Sequence, residues 1–402
     1  MTGLPFVLVE SNTTGTGRDF AEAALARGLR PVLLSYAPHR YPYVDEIGLD
    51  AYEVDTSGPS SVEQACRRLS PAGIGGITSS SEYFVRTAAA AGRSLGLPTP
   101  DPEAIGRCRD KAVQRRWLDS GGIAVPRFAE CRTPAEVVAA ATMMAGPVVV
   151  KPVFGSGSVG VRACGDPASA GRWARHLLET ETRVLVECEI RGPEFSVEIV
   201  DGRSAGLTRK HVGAAPYFVE TGHDFPAQVP PAVATALCST AEQAVRRIGL
   251  LTGPAHVELR LATVGKPVVI EINPRLAGGL IPRLVRYATG RDLVGEVIAR
   301  AAGLPVAEGT GGEGFASIRF VVPDRAGTVG RLAGLDRARA HAGVVEARYT
   351  VSEGSEITVE HSFADRKGYV IATGHTAGDA ISAADRAIAT LEITYSAGGS
   401  RR

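Results

Sequence analysis

Val268-Val269-Ile270-Glu271-Ile272-Asn273-Pro274-Arg275 is a run rich in β-branched residues interrupted by one acid, the pattern of a buried strand. Glu271 and Asn273 are two apart, so on a strand their side chains share a face. A carboxylate and an amide on one face, with Arg275 just beyond, suit a divalent cation that holds a polyphosphate. Magnesium divides its oxygen ligands in this way between carboxylates and substrate phosphates. His256-Val257-Glu258-Leu259-Arg260-Leu261 predicts a preceding strand, joined to the first by a turn over 262–267. Hairpin pairing sets Glu258 beside Glu271, and two acids and an amide converge. Either acid alone reads as a solvated position on a half-exposed hairpin; the combination weakens that reading sharply.

At 402 residues the chain accommodates two or three domains of about 150 residues each. Its 44% hydrophobic content fills ordinary cores, and 22% charge is normal for a soluble protein. A net charge of +1 gives no electrostatic case for nucleic acid or an anionic membrane as partner. Among 44 basic residues only Lys111, Lys151, Lys210, Lys266 and Lys367 are lysines, so each lysine is informative. The six cysteines are scattered without C-x-x-C spacing, which argues against zinc and disulfides and fits a reducing compartment. Met1–Glu10 lacks the basic region of a signal peptide, and no stretch approaches the roughly 20 apolar residues of a membrane span. The expectation is a soluble, cytoplasmic protein.

In chain order, strand Pro5–Val9, helix Arg18–Arg27, strand Pro31–Ser35, helix Ser61–Leu69, strand Ile74–Thr78 and helix Glu82–Leu95 alternate, which predicts a doubly wound parallel sheet. Gly15 and Gly17 after the first strand invite a dinucleotide reading, but no acid ends the second strand to hold a ribose. The proline-rich 98–102 segment is the first expected boundary and Gly309–Gly314 the second, giving domains 1–100, 101–310 and 311–402. Strand Val148–Val153 carries Lys151 into Phe154-Gly155-Ser156-Gly157-Ser158-Val159-Gly160-Val161. Strand resumes after this loop, so it reads as a flap whose backbone N–H groups close over phosphates rather than as a Rossmann turn. Strands over Val184–Glu187, Glu194–Val200 and Leu207–His211, a polar loop over Tyr217–His223 and an amphipathic helix over Ala232–Ile248 follow. After Arg275, Ala277-Gly278-Gly279 turns into helix Leu280–Thr289. Strands near Ala316–Val322, Val344–Tyr349 and Gly368–Thr373, with a closing helix Asp379–Leu391, make a small α+β cap.

From about Asp101 onward these pieces resemble the ATP-grasp superfamily; the first hundred residues match only the α/β pattern of its leading domain. The resemblance implies a nucleotide clasped between two α+β lobes. It places Lys111 and Lys151 on the phosphates, Ser156, Gly157 and Ser158 in the covering flap, and Glu187, Cys188 and Ile190 in a hinge reading adenine through its backbone. Glu194 would hold the ribose hydroxyls, Glu258, Glu271 and Asn273 would bind Mg2+ (with Mn2+ a permissible replacement), and Arg275 would steady the phosphates or the reacting carboxylate. Phe218-Val219-Glu220-Thr221-Gly222-His223-Asp224-Phe225-Pro226 and Arg275-Leu276-Ala277-Gly278-Gly279 are similar to the L-amino-acid ligases, which join two amino acids into a dipeptide. Gly368–Gly374 resembles the cap of biotin carboxylase, yet the chain has no biotinyl Lys-Met motif.

The implied reaction is a carboxylate–amine ligation with ATP cleaved to ADP and phosphate. Position and positive charge are what the protein must supply to phosphoryl transfer. Catalytic roles fall to Arg275, Lys151, His223 and Gly278, and substrate contacts to Glu82, His223, Arg275, Gly278 and Gly279. Glu82 is expected either to bind an ammonium or to be a plain acid at a helix start. His223 is expected on the substrate, with a satisfied loop histidine as the alternative. Gly279 is expected beneath open space, unless it only supplies a positive φ. The partners are small-molecule substrates, with a homodimer as one admissible assembly. A biotin carboxylase-type enzyme and a silent ATP-binding homologue are the competing readings.

Overall fold

The computed structural model describes residues 3–13, 15–306 and 311–396. Thr14 and the first part of the link expected at 309–314 lie outside the described residues. Strands β1 (Pro5–Val9), β2 (Arg30–Ser35), β3 (Asp50–Glu53) and β4 (Gly76–Thr78) form an all-parallel sheet in the order β3-β2-β1-β4. Helices α1 (Thr16–Leu25), α2 (Tyr43–Ile47), α3 (Pro59–Leu69) and α4 (Val85–Ser94) connect and cover it. β1 is buried throughout, as its unbroken apolar run requires in a parallel sheet. β2 and β4 flank it on opposite sides, so the crevice of this sheet opens at the carboxyl ends of β1 and β4. The helix expected from Glu82 begins only at Val85, because residues 82–84 form a turn.

Helices α5 (Pro102–Arg109) and α6 (Lys111–Asp119) follow, capped by the Asp101 and Asp110 side chains. Strands β5 (Phe128–Cys131), β6 (Val148–Pro152), β7 (Arg162–Cys164) and β8 (Val184–Cys188) make an antiparallel sheet in the order β5-β8-β6-β7. Helices α7 (Pro134–Met144) and α8 (Pro167–Leu177) pack on it.

The larger sheet joins β9 (Glu194–Val200), β10 (Arg203–Val212), β11 (Glu220–Phe225), β12 (Pro254–Leu261) and β13 (Pro267–Asn273) with three strands of the C-terminal region, β14 (Phe315–Val321), β16 (Val344–Tyr349) and β18 (Gly368–Gly374). Its order is β13-β12-β9-β10-β11-β14-β18-β16. Helix α9 (Pro231–Ile248) covers one face, burying Phe195, Val197, Ile199, Val257 and Leu259 against Leu237, Ala241, Val245 and Ile248. Each such large side chain contributes about 1.5–3 kcal/mol by leaving water. The alternate residues, 194/196/198 and 256/258/260, are thereby driven to the other face.

The polar loop expected over Tyr217–His223 is in part strand, since β11 pairs with β10 on one side and with the distant β14 on the other. Asp224 fastens that second seam by accepting from Ser317 Oγ at 2.8 Å and Arg319 Nη1 at 2.8 Å. Burial raises this carboxyl, but the His211 ring at 2.6 Å and the Arg319 guanidinium outweigh it and hold the group at about 2. A small sheet, β17 (Glu356–Ile357), β15 (Gly327–Ala333) and β19 (Glu392–Tyr395), lies beyond the expected strands. Helices α10 (Ile281–Thr289) and α11 (Leu293–Ala301) lie in one core that also holds Phe6, Leu8 and Phe20 of the parallel unit and Ile318 and Ile371 of the large sheet. Helices α12 (Leu335–Ala340) and α13 (Ala377–Ile388) complete the chain.

Candidate active site

Three cross-strand rungs build the site on the open face of the large sheet. Asn273, His256 and Glu198 form the first; Glu271, Glu258, Ser196 and Thr208 the second; Arg260, Glu194, Lys210 and His223 the third. Glu258 and Glu271 are directly opposite, as the hairpin reading expects. A one-residue register shift in β12–β13 leaves Ile270 out of the ladder, and its carbonyl accepts from Arg115.

Lys210 is the hub of the third rung. Its Nζ lies 2.9 Å from Glu194, 2.7 Å from Glu220 and 3.1 Å from Glu258. Burial pulls the ammonium down, but the three carboxylates hold it well above the ordinary lysine range. His256 bridges two rungs, with Nδ1 2.5 Å from Glu198 and Nε2 3.3 Å from Glu258. Burial lowers this imidazole; the two acids raise it to about 9. Glu198 then accepts from the N–H of Ala277 at 3.1 Å, tying the acids to the turn that carries Arg275.

Lys111 and Lys151 close the opposite wall. Lys111 Nζ lies 3.2 Å from Glu271 and donates to the carbonyl of Gly155. Lys151 Nζ sits 2.7 Å from Glu187, whose other oxygen takes Arg115 Nε at 2.6 Å. Burial, with Arg115 nearby, pulls Lys151 below the usual lysine range against the attraction of Glu187. The flap is folded down, with Ser158 Oγ donating to Phe218 O at 2.9 Å. Phe363 N donates to Gly157 O at 3.0 Å, and a Cβ at Gly157 would meet that ring at 2.2 Å, so only glycine fits beneath it.

Two cavities meet here. One runs between the glycine loop 154–161 and the end of β8, with Cys188, Ile190, Glu194, Glu271 and Asn273 on its walls. The other, about 800 Å³, extends to the crevice of the parallel sheet. Ser156, Gly157, Glu220, Glu258 and Arg275 line both.

Comparison with known proteins places this geometry. Residues 144–283 match the ATP-grasp domain, and residues 319–396 match L-amino acid ligase C-terminal domain 2. An uncharacterized protein of Sinorhizobium fredii is 34% identical over 397 residues, 97% of this chain and 83% of that protein. The chain belongs to the ATP-grasp superfamily. A D-alanine–D-alanine ligase of Anaeromyxobacter sp. is 30% identical over 187 residues, 44% of this ATP-grasp chain and 60% of that ligase. In fold, the chain is similar to the L-amino acid ligase of Bacillus licheniformis, with TM-score 0.85 at 23% identity, over 98% of this chain and 99% of that one.

Three expectations for this ATP-grasp site are corrected. Glu82 is not a free ammonium acceptor: its oxygens are engaged by Arg109 at 2.6 Å and Arg275 at 3.0 Å, so it positions Arg275. His223 does not reach the cleft. It is fully buried, burial pushes its imidazole down to about 3, and it backs Glu220 at 3.4 Å. Gly279 has no open space above it. Its φ is +60°, and a Cβ would lie 2.6 Å from His223 Nε2 and 3.1 Å from an Arg366 nitrogen. Gly278 is the open position, with no atom within 4 Å of a Cβ.

Any side chain at Gly279, as in Gly279→Ala, is therefore expected to depress activity on all substrates together. In a folded Gly278→Leu variant, kcat/KM for the larger of two substrates should fall at least about tenfold more than for the smaller. Equal losses on both would remove Gly278 from the pocket wall.

A fourth correction concerns Glu187, expected to read a base through its backbone: it lies inside β8, paired on both sides by Phe128 and Val149, and meets the site through its carboxylate, which takes Lys151 and Arg115. Arg115, Lys210, Glu220, Arg260 and Arg366 are site members that the sequence reading missed. Arg260 grips Glu194 at 2.8 and 3.0 Å and caps Ile190 O; Arg366 grips Glu220. The alternation His256, Glu258, Arg260 and the scarcity of lysine were the available signals.

Oxygen ligands alone fit magnesium, and Glu258, Glu271 and Asn273 supply them from adjacent rungs. With its amide turned so that the nitrogen faces the two acids, Asn273 would donate to Glu271 and Glu82 at 3.2 Å each and leave its oxygen for a cation. Among the described residues no group of three or more His, Cys, Asp or Glu forms an all-protein metal cage. Two acids and an amide leave room for phosphate and water ligands.

Proposed function

We propose that this ATP-grasp protein is an ATP-dependent carboxylate–amine ligase that joins amino acids with release of ADP and phosphate. The observation that carries the reading is the shared wall of the two cavities. There, Arg275 and Glu258 stand between the phosphate end of one cavity and the substrate space of the other. A carboxylate oxygen attacks the γ-phosphorus and ADP leaves; the neutral amine nitrogen then attacks the acyl carbon, and phosphate leaves with the proton that the new amide nitrogen gives up. Lys111 and Lys151 hold the phosphates, and the folded flap excludes water from the acylphosphate. Arg275, fixed by Glu82, orients the carboxylate. Glu258, Glu271 and Asn273 would hold magnesium, which would neutralise charge on the phosphates when bound, and the same oxygen ligands would accept Mn2+. His256 and Lys210 keep Glu258 ionised in its half-buried place. The acids, lysines and flap together favour an enzyme over a silent binding homologue.

Carboxylate-labelled amino acid should pass one oxygen-18 into phosphate for each amide formed, with ADP as coproduct, read by mass spectrometry. AMP and pyrophosphate as stoichiometric products would overturn the assignment.

A further inference from the structure

The three most exposed aromatic side chains among the described residues are Tyr36 at 71%, Tyr83 at 58% and Phe363 at 54%. They come from three distant parts of the chain: the end of β2, the turn before α4, and the segment between β17 and β18. All three line the 800 Å³ cavity. Single exposed rings are ordinary on a protein surface; three converging on one cavity are not.

The segments that carry them are anchored. Tyr36 N donates to the buried Glu10 carboxylate at 2.6 Å. The Tyr83 ring lies 4.7 Å beneath the Arg109 guanidinium, itself bound to Glu82. Phe363 is pinned to the flap through Gly157.

The charges in the cavity wall point the same way. Glu10 accepts from Ser35, Tyr36 N, Tyr41 and Thr56, so it is fully occupied. Glu82, Glu220, Glu258, His256, Arg275 and Arg366 are all in ion pairs. Among the described residues of the wall the two remaining charges, Arg40 and Asp55, are exposed, and their opposite signs favour neither an acidic nor a basic substrate side chain. A planar, uncharged one would gain aromatic contacts on several sides.

We propose that one of the two substrates is an amino acid with a large, uncharged aromatic side chain, received by Tyr36, Tyr83 and Phe363 at the mouth of the arm next to the parallel sheet. This rests on the amide-forming reading above.

The test pairs binding with turnover. L-phenylalanine, L-alanine, L-glutamate and L-lysine are titrated calorimetrically into the full chain with MgADP, and phosphate release is followed with MgATP and each pair of these amino acids. L-phenylalanine should bind about tenfold or more tighter than the others. In Tyr36→Ala and in Phe363→Ala the ratio of kcat/KM for phenylalanine over alanine should fall about threefold to tenfold. A ratio unmoved in both folded variants would overturn the proposal, as would tighter binding of glutamate or lysine. Phosphate release with small or charged amino acids, without phenylalanine binding, would overturn it while leaving the ligase reading standing. Tight phenylalanine binding that never elicits phosphate release would uphold the aromatic arm and overturn the ligase reading. No binding and no release with any of the four overturns both.

Discussion

Lys151→Met is expected to reduce phosphate release by about a hundredfold or more while the protein stays folded, the usual loss when a group acting on transition-state charge is removed. The geometry explains why the two effects separate. Lys151 and Arg115 share Glu187, so the acid keeps a 2.6 Å partner when the lysine is gone. Removing one member of a buried pair normally leaves an uncompensated charge, at a cost of about 3–5 kcal/mol. Here that cost is largely avoided, and methionine fills the space of the lysine stem. The check is single-turnover phosphate release beside a thermal melt. A folded variant with the wild-type rate would mean that Lys151 does not touch the transferred phosphoryl group.

Lys210→Met should do the opposite and give the largest loss of stability of any single change at the site. Glu194, Glu220 and Glu258 converge on this one ammonium, all within 3.1 Å. Arg260, Arg366 and His256 hold the outer oxygens of these acids but do not reach the centre. A loss of about 3–5 kcal/mol is expected from denaturant titration at neutral pH. The sign of its pH dependence follows from the acids. With Lys210 present, Glu220 and Glu258 stay ionised well below the ordinary glutamate range, despite burial that raises both. Their contribution is therefore present above that range and lost on acidification. The gap between wild type and variant should narrow as the pH falls from neutral into the acid range, where the variant's acids, raised by burial and short of one cation, take up protons while those of the wild type stay ionised. A gap that widens there, or a variant as stable as wild type at neutral pH, would contradict this account of the hub.

What the residues disclosed and what they hid divide by distance along the chain. The hairpin of β12 and β13 was legible because its strands are consecutive, joined by a short turn, and alternate cleanly. The Lys151 strand and its glycine flap were legible for the same local reason. The parallel unit came from the simple alternation of strand and helix. Lys210 stood out only as a rare lysine, because its partners sit on three other strands and are set by pairing registers that no local pattern encodes. Arg366 and Phe363 reach the site from the far end of the chain. Gly278 and Gly279 are indistinguishable as letters; φ of +60° and the His223 ring behind one of them separate their roles. His223 was read as a substrate contact from its motif, whereas packing under Gly279 withdrew it from the cleft.

The continuity of the large sheet has a consequence for anyone who shortens this protein. β11 has a neighbour on each side, and on one side that neighbour is β14. A chain ending before Phe315 would expose the hydrogen-bonding groups of Gly222–Phe225 as a bare strand edge, a template on which a second molecule can add its own strand. Asp224 would lose Arg319, and Glu220 would lose Arg366. Such a truncated form would be sticky as well as inactive. The C-terminal region is thus a selvedge, the woven border that keeps the rest of the cloth from unravelling onto its neighbours.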